Sequence, residues 1–127
     1  MNKKILSLII IGVLVIVGIV VWGMKSGSTN APAANLTGII YYYGAECPHC
    51  KNINEFLEKN NIAESVTFAK KEVWHDRGNA SEMTQAASVC GIDKKDLGVP
   101  FIFDDGKCLI GEPDVKKFFS EKAGITE

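Results

Sequence analysis

The chain carries no surplus of either charge: 14 Lys and Arg stand against 15 Asp and Glu, for a formal net charge of −1. That balance excludes a basic nucleic-acid binder and an acidic disordered tail as starting points. Cysteine is scarce as well, and four residues are too few for a disulfide-scaffold miniprotein. Only one Cys-x-x-Cys is present, whereas a zinc site needs about four ligands, usually from two such knuckles. No internal repeat or low-complexity tract appears, and 127 residues hold one domain rather than two.

What the chain has in quantity is apolar sequence at its N-terminus. Ile5 to Met24 is a 20-residue run without charge, with Ser7 as its one clearly polar side chain. As a helix it would rise about 30 Å, the hydrocarbon thickness of a bilayer. Lys3 and Lys4 precede it and Lys25 alone follows directly, so the positive-inside rule puts residues 1–4 in the cytoplasm and the rest outside. The alternative is a cleaved signal peptide, with Ala31-Pro32-Ala33 as the small-residue cleavage pattern. A signal h-region is about 7–15 residues, shorter than this run, which favours an uncleaved signal-anchor over 5–24. Both readings export the C-terminal part of the chain. The two-lysine start and long apolar run suit a single pass through a bacterial cell membrane. Residues 25–35 read as a flexible linker.

The remaining domain, 36–127, holds all four cysteines, and the chain from Lys25 onward nets −3, so anionic lipid should not attract it. Gly38 to Tyr43 reads as a buried strand. Ile53, Phe56 and Leu57 then mark an amphipathic helix ending near Asn60-Asn61. Val66 to Val73 has strand composition, with Val66, Phe68 and Val73 as its apolar members. Asn79 and Glu82 resemble a capping pair before a helix with Met83, Ala86, Ala87 and Cys90 on one face. Val99 to Phe103 reads as a buried strand, Asp105-Gly106 as a hairpin turn, and Lys107 to Ile110 as its return strand. A last helix follows Pro113, with Val115, Phe118 and Phe119 inward and Gly124 near its stop. The expected class is α/β, in the order β-α-β-α-β-β-α, with a mixed four-stranded sheet flanked by helices.

The most specific feature is Cys47-Pro48-His49-Cys50, directly after a strand and at a helix start. Two sulfurs three residues apart on a first helical turn can close a disulfide and, when opened, leave Cys47 exposed and Cys50 sheltered. Pro48 suits the first helical position, where its missing N–H costs nothing. Unpaired N–H groups and the helix dipole favour an anion at Cys47, and a thiolate there attacks disulfides or leaves from them. A static disulfide and half of a zinc site are the blander alternatives. Cys90, on the second helix, and Cys108, in the return strand, have 17 residues between them. They read as a structural disulfide in an oxidising compartment, as two buried free thiols, or as a second, electron-relaying pair.

These residues resemble the thioredoxin superfamily: Cys47-Pro48-His49-Cys50 after a Tyr-rich strand, with Val99-Pro100 about fifty residues on. The element order and size resemble glutaredoxins, the minimal version of that fold, and the tetrapeptide is the one found in DsbA-type dithiol oxidases. The resemblance spans about Leu36 to Glu127. It implies that Cys47 is the nucleophile and Cys50 the resolving thiol of a redox-active disulfide. It also implies that Pro100 is cis and faces the pair, so that Val99 offers its N–H and C=O to an extended substrate. Glutaredoxins carry Thr-Val-Pro where Gly98-Val99-Pro100 stands here, and a Gly-Gly pair where Gly111-Glu112 stands. The Glu112 carboxylate would repel a glutathione carboxylate. Glutathione is therefore expected as a redox-buffer reactant and not as a cofactor.

His49, if protonated or donating, is expected to stabilise the Cys47 thiolate and make the disulfide more oxidising, and to outweigh the opposing charge of Glu46. His75 and Trp74 read as loop packing. The expected function is extracytoplasmic thiol–disulfide exchange on protein substrates in the oxidase or isomerase direction, with a membrane redox partner to reset the pair. No metal, organic cofactor or nucleic acid is implied. A membrane-anchored reductase and a non-catalytic thiol- or metal-binding module are the alternatives.

Overall fold

The computed structural model describes residues 35–125, together with 2, 3, 5, 7, 10 and 13–15. The chain forms two units, Met1–Ala33 and Ala34–Glu127. The expected span over 5–24 and the linker over 25–35 lie largely outside the described residues. Among those described, no helix is long and apolar enough to cross a membrane.

In the second unit the chain runs β1 (Ile39–Tyr43), α1 (Pro48–Lys59), α2 (Ile62–Ser65), β2 (Ala69–Glu72), α3 (Arg77–Val89), β3 (Phe101–Asp104), β4 (Lys107–Ile110) and α4 (Glu112–Ala123), with one 3-10 turn at Lys94–Asp96. The sheet order is β2-β1-β3-β4. β1 pairs parallel with β2 and antiparallel with β3, and β3 pairs antiparallel with β4. Two antiparallel strands need only a tight turn, and Asp105-Gly106 provides it with φ of 45° and 95°. The parallel β1–β2 pair needs a crossover, which α1 and α2 supply.

Side chains alternate across a strand, and β1 divides its aromatics accordingly. Ile40 and Tyr42 join Met83, Ala86 and Ala87 of α3 with Phe101 and Phe103. Tyr41 faces the other way, into Ile53 and Leu57 of α1, Ile102, and Val115 and Phe119 of α4. Phe119 is fully buried and meets Tyr41 edge-on, ring centres 5.9 Å apart. Burying a side chain of that size contributes about 1.5–3 kcal/mol.

Two local expectations change. The second strand is shorter than 66–73, and none of its supposed apolar members lies in it. β2 is an edge strand with β1 as its one neighbour, and of its residues Ala69 and Lys70 are exposed while Lys71 and Glu72 are half-buried. Val66 and Phe68 pack beneath it with the α1–α4 cluster, while Val73 joins the opposite one. The cap of α3 is Asp76, whose Oδ1 accepts the Asn79 N–H at 2.8 Å. Glu82 instead accepts from the Tyr42 hydroxyl at 2.8 Å and from Lys71 Nζ at 2.6 Å. This ties β1, β2 and α3 together from one carboxylate.

Candidate active site

The dithiol sits where β1 ends and α1 begins. Cys47 is the N-cap of α1, with extended backbone (φ −75°, ψ 117°), and Pro48 is the first helical residue. An N-cap side chain normally accepts a helix N–H through oxygen. Here the Cys47 sulfur takes that place and accepts the Cys50 N–H at 3.2 Å. Both cysteines are free thiols. Cys50 is fully buried, and Cys47 is 5% exposed, so the Cys47 sulfur is more covered than expected. Part of that cover is Val99, whose carbonyl accepts from the Cys47 thiol at 3.8 Å.

Burial pushes the Cys50 thiol up to about 12, with its hydrogen bond to Cys47 acting in the same direction. Burial likewise raises Tyr41, whose hydroxyl donates to the Cys50 carbonyl at 3.4 Å. Cys50 and Tyr41 therefore stay neutral at pH 7 in the reduced protein.

The Val99–Pro100 bond is cis. The Gly111 N–H donates to the Pro100 carbonyl at 2.9 Å, which seats the start of α4 against this loop. Gly111 takes φ 97° there, a left-handed conformation that glycine adopts without strain. His49, Val99, Pro100, Gly111, Glu112, Pro113 and Lys116 line an open groove of about 400 Å³.

The charged residues around the thiols are partnered differently from expectation. His49 directs Nδ1 to Glu112 Oε2 at 2.6 Å, so that nitrogen engages a carboxylate rather than the Cys47 sulfur. Asn52 Nδ2 donates to the same carboxylate at 3.0 and 3.1 Å. The His49 bond and then the Asn52 bond hold Glu112 below its usual value. Glu112 is thus a bridge from α4 to α1 rather than a bare charge facing a ligand. Glu46, on the other side, is paired with His75 (Nε2 to Oε1, 2.7 Å). That contact raises His75 above its usual value.

The loop carrying His75 is held by Glu72. Its carboxylate accepts the backbone N–H groups of Trp74 at 2.8 Å, His75 at 2.8 Å, Asp76 at 3.2 Å and Ala45 at 3.2 Å. Burial raises this carboxyl, but the four donors outweigh that and keep it low. The Trp74 indole lies so close on Gly44 that a Cβ there would collide with it. Glu72, Asn52 and any role of His75 beyond loop packing carry no signal in the sequence, because each works through tertiary contact that no spacing marks. Glu112 was visible only as a charge in an unusual place.

The second cysteine pair forms a disulfide, Cys90 to Cys108, with Cα atoms 6.1 Å apart. It joins the C-cap of α3 to β4. No group of three or more His, Cys, Asp or Glu suited to a metal ion occurs among the described residues.

A mixed four-stranded sheet flanked by helices, with a Cys-x-x-Cys at the start of α1, defines a thioredoxin-like α/β fold. No family model and no curated protein matches the chain. Among solved structures it is similar to the glutaredoxin of Archaeoglobus fulgidus, at 22% identity and TM-score 0.46, over 72% of this chain and 95% of that one. It is similar to reduced glutaredoxin C1 of Populus tremula x tremuloides, at 15% identity and TM-score 0.46, over 70% and 69%. A buckwheat glutaredoxin in complex with glutathione is similar at 13% identity and TM-score 0.46, over 73% and 76%.

Proposed function

We propose that the protein is a thiol–disulfide oxidoreductase acting on polypeptide cysteines, with Cys47 as the exchanging sulfur and Cys50 as its resolving partner. The observation that carries this reading is the position of the Cys47 sulfur. It caps α1, accepts the Cys50 N–H at 3.2 Å, and stands between a buried neutral thiol and the Val99 carbonyl.

In the oxidising direction a substrate thiolate attacks Cys47 of the Cys47–Cys50 disulfide, and Cys50 leaves as a thiolate and takes up a proton. A second substrate thiol then attacks the mixed disulfide and frees Cys47. The substrate loses two electrons and two protons as its disulfide forms, and the pair gains them. A helix N-terminus stabilises the departing Cys47 thiolate and hence the reduced form, which makes the disulfide a better oxidant. The raised Cys50 works against this, because a thiol whose anion is disfavoured by burial leaves less readily. A membrane redox partner carrying its own disulfide would restore the pair.

The groove beside Val99 and Pro100 suits an extended chain. Glutathione is read as a buffer reactant and not a bound cofactor, with the Glu112 carboxylate at the groove's edge already held by His49 and Asn52. Export on a single-pass anchor over 5–24 fits this chemistry. The run is uncharged, and Ile5, Ile10, Val13, Leu14 and Val15 present exposed apolar side chains. A Cys90–Cys108 disulfide persists in an oxidising compartment.

The test is equilibration of the protein in graded glutathione buffers, with alkylated cysteines mapped at each step. A Cys47–Cys50 pair that stays reduced until conditions are strongly oxidising supports a disulfide donor. A disulfide that survives deep into reducing buffer would make the protein a reductase. A Cys47→Ser variant that keeps full exchange activity would remove the mechanism.

A further inference from the structure

We propose that His75 is a positioning residue for the dithiol: by pairing with Glu46 it neutralises the carboxylate that directly precedes Cys47, and so favours the Cys47 thiolate. The inference rests on the exchange reading above and adds a residue from a separate loop to that site.

Glu46 is the one acidic residue between β1 and α1. An anion next to a thiol opposes its ionisation, so an unpaired Glu46 would work against the helix N-terminus. His75 lies 29 residues away in sequence, yet its Nε2 meets Glu46 Oε1 at 2.7 Å. Isolated surface ion pairs contribute little because two long side chains must be ordered to make them. Here the backbone segments that carry the two side chains are held in place by other contacts. The Glu72 carboxylate holds the backbone N–H of Ala45, beside Glu46, and the backbone N–H of His75. The Trp74 indole lies on Gly44. The two segments are joined twice by contacts that do not involve the pair itself.

The other charged groups nearby are accounted for. Glu72 faces His75 and adds to the field that favours its protonation. Asp76 caps α3, and Arg77 begins that helix. Across the dithiol, His49 is matched to Glu112. Lys51 pairs with Glu55 along α1. Cys50 and Tyr41 are kept neutral by burial. His75 is therefore the cation that answers Glu46.

The experiment uses the full-length chain in detergent, as wild type, His75→Gln, Glu46→Gln and the double variant. The rate at which iodoacetamide modifies Cys47 in the reduced protein is followed by peptide mapping from pH 5 to 9, and the dithiol–glutathione equilibrium is measured in parallel. At pH 6, H75Q is expected to slow Cys47 modification by up to about threefold, the scale of an exposed ion pair. The deficit should fade as pH rises through the titration of His75 in the wild type. In the E46Q background the H75Q change should have no effect. An unchanged rate in H75Q, or an equal loss with and without Glu46, overturns the inference. A wild-type pair that never interchanges with glutathione instead brings down the exchange reading, and the role of His75 with it.

Discussion

His49 Nδ1 lies 2.6 Å from Glu112 Oε2, so the second of the two residues between the cysteines is tied to the first residue of the last helix, 63 positions on. The contact joins the dithiol loop to the groove that runs past Val99 and Pro100. It also turns an apparently repulsive acid into a structural link.

Replacing Glu112 with Gln tests that link through pH. The wild-type carboxyl sits below its unfolded value of 4.5, chiefly because of His49 and then Asn52. A depressed acid stabilises the fold above its unfolded pKa, and the effect is lost as pH falls through the lower folded value. Thermal melting should show the wild type slightly more stable than E112Q at pH 7. The gap should begin to close below about 4.5 and vanish in stronger acid. A gap that stays constant across this range would show that the carboxylate charge contributes nothing.

Cys47 and Cys50 should differ sharply toward alkylating reagents. Cys50 is fully buried and its thiol is raised to about 12, so at pH 7 it presents a shielded, protonated sulfur. Iodoacetamide should therefore modify Cys47 alone in the native reduced protein, and Cys50 only after unfolding. Cys50→Ala should accumulate mixed disulfides with substrate chains through Cys47, since no resolving thiol remains. Peptide mapping that finds Cys50 labelled first would reverse the assigned roles.

Much of this arrangement is readable in the sequence, and the reasons are local. Cys47 and Pro48 mark a helix start by cap and first-turn chemistry, Asp105-Gly106 marks a hairpin, and Gly124 marks a helix stop with φ 68°. Each is set by one or two residues and their neighbours. β2 was less legible because Ala69–Glu72 is a polar edge strand whose pairing with β1 is decided by the crossover helices. The partners of His49 and Glu46 were not legible at all. Glu112 and His75 reach the dithiol only once α4 and the β2–α3 loop have packed, and nothing in the 46–50 segment names them.

The Cys90–Cys108 bridge should behave as a staple rather than a relay. It closes a loop of sequence separation 18, for which the chain-entropy model gives about 3 kcal/mol. The Cys90→Ala/Cys108→Ala double variant should melt lower by about 10–20 °C for a domain of this size. Its exchange activity, measured below that temperature, should persist. Glutathione buffers that reduce Cys47–Cys50 should leave the bridge intact. Reduction of both pairs in step would make Cys90 and Cys108 participants in electron transfer.

Glu72 holds the loop that delivers His75, and amide exchange can read that directly. Its carboxylate accepts four backbone N–H groups, from Ala45, Trp74, His75 and Asp76, across two separate segments of chain. Glu72→Ala removes every one of these acceptors, while the β1–β2 register, made by backbone bonds, stays in place. Hydrogen exchange at those four amides should accelerate, since each loses its charged acceptor. Amides in α1 beyond Lys51 should be unaffected. The loosened loop should also lose the His75–Glu46 contact, so E72A should slow Cys47 alkylation at pH 6 as H75Q does. Fast amides with an unchanged Cys47 rate would separate the scaffold from the chemistry. They would show that His75 finds Glu46 without the Glu72 cage.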